Sequence, residues 1–270
     1  MSNILLILIR LLSLVIINFS AFATNITVET KACNAGDAVS CTNLGNAYAK
    51  GQGIKKDFKK AKTLYIKACK GGEITGCSNL GFMFLKGEGG IQDYKKAMIY
   101  FNKSCKGGYA VACYTLGRMY FNGQGIKQSY KKSSGFMRKG CLNGDARACD
   151  SLGYMYYNGK GLKRSFSKAI TFHSKACDAG EAYGCGHLGY MYLKGEGLIQ
   201  NSTKAIALLS KACRGGFYQA CSNLGGIYVN GSGVSKDYVK ALALFRQACN
   251  GGYTRACRKL ENTQGFLGVR

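Results

Sequence analysis

The chain has 270 residues, with no proline, fourteen cysteines and two histidines; 38 basic and 13 acidic side chains give it a formal charge of +25. Lysines occur in every part of the chain rather than in one block, and no nucleic-acid recognition motif accompanies them, so a solvated basic face is expected and nucleic-acid binding is not. An exported protein of this charge will adhere to anionic surfaces such as lipid headgroups, wall polymers or acidic proteins.

The N-terminal stretch from Asn3 to Asn18 is almost wholly apolar and is followed by Ala21-Phe22-Ala23, a small-x-small cleavage pattern. This predicts a secretory signal over residues 1–23 and a mature protein that is periplasmic or secreted. Arg10 inside the apolar run and the lack of a basic residue before it depart from the usual pattern. No other stretch is long and apolar enough to span a membrane.

From there the chain repeats every 36 residues without insertion or deletion. The first cysteine of each unit stands at Cys33, Cys69, Cys105, Cys141, Cys177, Cys213 and Cys249. The second stands at Cys41, Cys77, Cys113, Cys149, Cys185, Cys221 and Cys257. Full units begin at Asp37, Glu73, Tyr109, Asp145, Glu181 and Phe217; half units run from Asn25 to Gly36 and from Tyr253 to about Asn262. A fixed period of this length is the signature of stacked supersecondary units, so an all-α solenoid over residues 24–262 is expected, with 263–270 as a flexible tail.

Each unit reads as two helices. In the first, helix A spans roughly Ala38 to Lys50, where Leu44, Ala47 and Tyr48 fall on one face. Beside the recurring leucine stands glycine, at Gly45, Gly81, Gly117, Gly153, Gly189 and Gly225. Glycine inside a helix costs about 1 kcal/mol against alanine, which predicts a close neighbour at each of these positions. Helix A ends in a G-x-G turn. With no strand before it and no third glycine in register, this turn is a helix stop rather than a phosphate loop. Helix B begins after Asp57, Asp93, Ser129, Ser165, Asn201 or Asp237, all residue types able to cap a helix N-terminus.

The cysteine grid allows two regular pairings. Joining Cys41 to Cys69 and its equivalents makes six bridges and strands Cys33 and Cys257. Joining Cys33 to Cys41 and its equivalents uses all fourteen cysteines in seven bridges, and this count favours the shorter spacing. Each such bridge contributes roughly 2–3 kcal/mol in the chain-entropy model. Seven residues between paired cysteines are too many for a zinc site, and His173 and His187 lie outside any short ligand spacing, so neither a metal nor a cofactor is expected. His173 is read as a packed ring and His187 as a polar helix-A position.

The string A-x3-C-x-N-L-G-x2-Y-x2-G-x-G, followed by D-[FY]-x-K-A and K-A-C-x-G-G, resembles the Sel-one-like repeat, a relative of the tetratricopeptide repeat. The C-x7-C placement is similar to that of the Helicobacter cysteine-rich proteins. The resemblance implies an exported right-handed α/α superhelix with one disulfide per repeat. It also implies a penicillin-binding protein with weak β-lactamase activity, for which no catalytic residue can be carried onto this chain.

The sequence supplies little for hydrolysis. S-x-x-K occurs at Ser129–Lys132 and Ser165–Lys168 but coincides with the helix-B cap and a recurring lysine, while K-T-G is absent. The alternative function is a non-enzymatic scaffold, expected to be a monomer, binding a peptide, a peptidoglycan-like or β-lactam ligand, or a host protein on a concave face. Candidates to line that face are Asn43, Asn79 and Asn223 with Tyr48, Tyr120, Tyr156, Tyr192 and Tyr228. The bland reading of the same residues is inter-repeat packing and capping.

Overall fold

A computed structural model describes residues 26–268. The expected leader, residues 1–23, lies outside them. Among the described residues there are fourteen helices and no strand, the architecture of a helical repeat solenoid. The chain divides into two compact units, the first ending at Lys127 and the second beginning at Gln128.

The first unit holds α1 (residues 26–34), α2 (Ala38–Lys50), α3 (Phe58–Lys70), α4 (Ile74–Lys86), α5 (Tyr94–Lys106) and α6 (Ala110–Asn122). The second holds α7 (Tyr130–Leu142), α8 (Ala146–Asn158), α9 (Phe166–Asp178), α10 (Ala182–Lys194), α11 (Ser202–Arg214), α12 (Tyr218–Asn230), α13 (Tyr238–Asn250) and α14 (Thr254–Leu267). Even-numbered helices are the A helices of the repeat and odd-numbered ones the B helices. The last helix runs on to Leu267, where the end of the repeat pattern had predicted a tail from 263.

Local chemistry sets these boundaries. Asp57, Asp93, Asn201 and Asp237 each accept a 2.9 Å hydrogen bond from the backbone N–H three residues on, satisfying a donor that the helix leaves orphaned. Each A helix from α2 to α12 closes on a left-handed glycine, as at Gly51 with φ 72°. Each B helix is followed by another, such as Gly72 with φ 91°. L-residues avoid that region, so the glycines turn the chain at the same places in every repeat.

Packing follows from the side chains held between helices. The leucine of each A helix from α2 to α12 is buried, and beside it Gly45, Gly81, Gly153, Gly189 and Gly225 make room for a B-helix side chain. A Cβ on Gly81 would lie 2.8 Å from the ring of Phe101, which is fully buried. This is the close approach that the helical glycines predict. In the second unit the core joins Leu209, Leu224, Ile227, Tyr228 and Phe245 with the cysteines Cys177 and Cys185.

Seven disulfides join Cys33–Cys41, Cys69–Cys77, Cys105–Cys113, Cys141–Cys149, Cys177–Cys185, Cys213–Cys221 and Cys249–Cys257, each eight residues apart with Cα–Cα between 4.5 and 4.8 Å. None of the cysteines is free. Each bridge ties the end of one B helix to the A helix that follows it. A recurring lysine closes the same corner from the next repeat: Lys103 Nζ donates to the Cys69 carbonyl at 2.7 Å and Lys211 Nζ to the Cys177 carbonyl at 3.0 Å. A cation there meets the unpaired carbonyls at a helix C-terminus. Seven disulfides are the covalent signature of an oxidising compartment, extracellular or periplasmic. No helix among the described residues is long and apolar enough to cross a membrane.

Candidate functional site

The repeat's two serine–lysine pairs are structural. Ser165 Oγ accepts from the Lys168 backbone N–H at 3.3 Å, and Ser129 Oγ does the same for Lys132. Lys168 Nζ lies 5.3 Å from the centre of the Tyr156 ring. Lys60, Lys96, Lys204 and Lys240 sit in the same way over Tyr48, Phe84, Tyr192 and Tyr228. The hydroxyl is therefore a helix cap in both pairs, and the Lys168 ammonium is a cation–π partner.

The candidate tyrosines belong to this packing. Tyr156 and Tyr228 are buried at 6% and 9% exposure. Tyr156 also stacks on Phe172 at 5.6 Å and accepts a hydrogen bond from Arg138. Tyr48, Tyr120 and Tyr192 are half-buried. Tyr48 follows Asn43 by five residues, which turns the helix through about 140°. The tyrosine and asparagine sets therefore face different ways and do not line one groove together. The asparagines occupy the outer face of the A helices. Asn43 donates to Glu29 at 3.1 Å and Asn79 to Asn46 at 3.0 Å. Asn43 and Asn46 border a depression of about 290 Å³ in the first unit.

In the second unit Asn223 lines a pocket of about 310 Å³ that crosses three successive A helices. Its walls include Tyr154 and Tyr157 from α8, His187 and Tyr190 from α10, and Gln219 and Asn223 from α12. The Tyr157 hydroxyl donates to Glu196, and burial together with that carboxylate pushes the phenol up. Phe217 packs its ring 5.5 Å from that of His187.

At the back of this pocket stands a group that residue spacing had set aside. His173 Nδ1 lies 2.7 Å and His187 Nδ1 2.8 Å from the same oxygen, Asp150 Oδ1. These are the only two histidines of the chain. Asp150 and His173 are buried, whereas the His187 side chain is 30% exposed. Burial by itself would raise the Asp150 carboxyl, but hydrogen bonds from His173 and His187 outweigh it and bring the pKa to about 2. Burial lowers the pKa of His173. An ionised carboxylate only accepts, so both rings present Nδ1–H to it.

The fold brings these residues together by its period. Asp150 and His187 occupy adjacent columns of successive repeats, on α8 and α10. His173 enters from α9 and fills the slot that Phe101 fills elsewhere, against Gly153. Residue spacing pointed to no metal ligands, whereas the fold brings three potential donor atoms, from Asp150, His173 and His187, within 4.8 Å of one another. Aligning the repeats would have exposed the signal. The Asp150 column otherwise holds Thr42, Ser78, Tyr114, Gly186 and Ser222, the His187 column Asn43, Asn79, Thr115, Ser151 and Asn223, and the His173 column Tyr65, Phe101, Met137, Leu209 and Phe245. Three departures, each toward an ionisable side chain, meet at one point.

Six consecutive stretches, residues 38–73, 74–109, 110–145, 146–181, 182–217 and 219–253, match the Sel1 repeat. The chain belongs to the Sel1 repeat family. A disulfide at each repeat junction makes it a cysteine-rich member. Among solved structures it is similar to a protective antigen of uropathogenic Escherichia coli displaying an SLR fold, at 28% identity and TM-score 0.82 over 90% of this chain and 52% of that one. It thus spans about half the length of that antigen. A Sel1 repeat protein from Oxalobacter formigenes shares the fold at 23% identity and TM-score 0.73, covering 83% of this chain and 96% of the other. Helicobacter pylori cysteine rich protein B is 34% identical over 51% of this chain and 99% of its own length, with TM-score 0.41. No curated protein matches the chain.

Proposed function

We propose that this Sel1 repeat protein is a non-enzymatic binding scaffold, which takes an extended peptide or a peptidoglycan stem peptide on the outer face of its A helices. The observation that carries this reading is the pocket over α8, α10 and α12. Three successive repeats contribute side chains to one open surface there, and a chain of repeats offers an extended ligand the same kind of contact at each step. Asn223 and Gln219 supply amide donors and acceptors for a peptide backbone, and Tyr154 and Tyr190 supply flat apolar area. Sel1 repeats serve protein–protein interaction, which agrees with such a face.

The β-lactamase reading has less support. The serines of both S-x-x-K pairs are spent on capping and the lysine of the second on stacking. A labelled stem pentapeptide ending in D-Ala-D-Ala, titrated in fluorescence polarisation, tests the scaffold directly. Saturable binding that weakens about three- to tenfold in Asn223→Ala and in Tyr190→Ala supports it, in line with about 1 kcal/mol for a contributing contact. Nitrocefin turnover that disappears in Ser165→Ala would replace the scaffold with a hydrolase.

A further inference from the structure

We infer that Asp150, His173 and His187 form a binding site for a divalent transition metal of the zinc class, with an open coordination position facing the pocket over α8, α10 and α12. This goes beyond the scaffold reading and does not depend on which peptide the face takes.

The donor set suits such an ion. Two imidazoles and one carboxylate are the ligand types of open zinc sites, which keep a position for water or a ligand oxygen. Sulfur donors are out of reach, because no cysteine is free. The three donor atoms converge: both Nδ1 atoms approach one carboxylate oxygen at 2.7 and 2.8 Å. Zinc at about 2.0–2.1 Å from each donor needs them roughly 3.3 Å apart in tetrahedral geometry. Opening the two N···O gaps by about half an ångström, with the two rings adjusting their own separation inside the 4.8 Å that spans the donors, provides that. The ion takes the place of two N–H···O bonds, each neutral ring moving its proton from Nδ1 to Nε2, so proton and charge counts balance.

Two observations on the structure favour a ligand site over a buried polar triad. The chain carries 38 lysines and arginines, yet the ion-pair contacts of the buried Asp150 are with His173 and His187. The other buried aspartate, Asp145, takes a guanidinium instead, that of Arg147 at 2.6 Å. The site is also accessible, since His173 and His187 both border the pocket of about 310 Å³. The pocket owes its form to further departures from the repeat. Gly186 stands in the column of Thr42, Ser78 and Asp150 and leaves room that the ring of Phe217 enters.

The test is isothermal titration of the chelator-stripped, oxidised full chain with zinc chloride, repeated with cobalt(II) and read by its visible d–d absorption. Three variants restore residues that other repeats already carry: Asp150→Ser, His173→Leu and His187→Asn. One zinc per chain is expected, with tetrahedral or five-coordinate cobalt absorption and affinity reduced at least about tenfold in each variant. His187→Asn is half-exposed and takes the residue of Asn43, Asn79 and Asn223, so its fold, checked by helicity and melting temperature, is expected to persist. Absence of stoichiometric binding, or binding undiminished in the three variants, overturns the site. Neither result bears on the stem-peptide titration, which is run without metal.

Discussion

At the scale of single residues, a glycine inside a helix is required where a rigid ring abuts it and dispensable where nothing does. Gly81 faces the buried ring of Phe101, which has nowhere to move. Gly81→Ala is therefore expected to destabilise by about 1–3 kcal/mol, the overpacking term exceeding the gain in helix propensity. Gly135 is exposed on α7, and a Cβ there meets nothing within 4 Å. Gly135→Ala should stabilise by up to about 1 kcal/mol. Thermal or urea denaturation of the two variants checks the contrast, and equal signs would refute the packing account.

At the scale of the element, the B helices α3, α5, α9, α11 and α13 are each started by a side-chain cap and held to the preceding A helix by a lysine over an aromatic ring. The caps were legible from single residues, because Ser, Asn and Asp at one column need only their own helix to act. The role of the following lysine was not, since Tyr156 lies on another helix. Ser165→Ala is expected to cost about 0.5–2 kcal/mol through the lost cap and to leave any peptide binding unchanged. Calorimetry of the variant beside the polarisation titration measures both. A loss of binding without a loss of stability would mean that Ser165 touches ligand. The tyrosine candidates show the same limit. Their spacing marked an apolar face, and only the packing partner, Phe172 for Tyr156 and Tyr100 for Phe84, showed that this face points into the hairpin.

At the scale of the molecule, covalent links fall at each corner where one repeat hands over to the next, Cys69–Cys77 being one of them. A loop of eight residues closed by a disulfide stabilises by about 2.5 kcal/mol in the chain-entropy model. Because repeat arrays rely on nearest-neighbour interfaces, the effect should stay local. Replacing Cys177 and Cys185 together by alanine is expected to lower stability by roughly that amount. Hydrogen exchange should quicken in α9 and α10 before it does in α2 and α3. Peptide mapping without reduction should recover seven pairs separated by eight; a Cys41–Cys69 peptide would contradict the pairing.

Sequence alone determined the period, the two-helix unit, the caps, the glycine turns and the shorter cysteine spacing. All of these are set within one repeat or between adjacent ones, where 36 residues of chain hold every partner. Tertiary structure alone decided which columns face outward and which lie within the hairpin, and it placed His173 and His187 on one oxygen of Asp150. Those three residues are 23 and 37 positions apart in the chain, on three different helices. They meet because stacking lays successive A helices side by side and threads the B-helix ring between them, a relation carried by packing that no local spacing encodes.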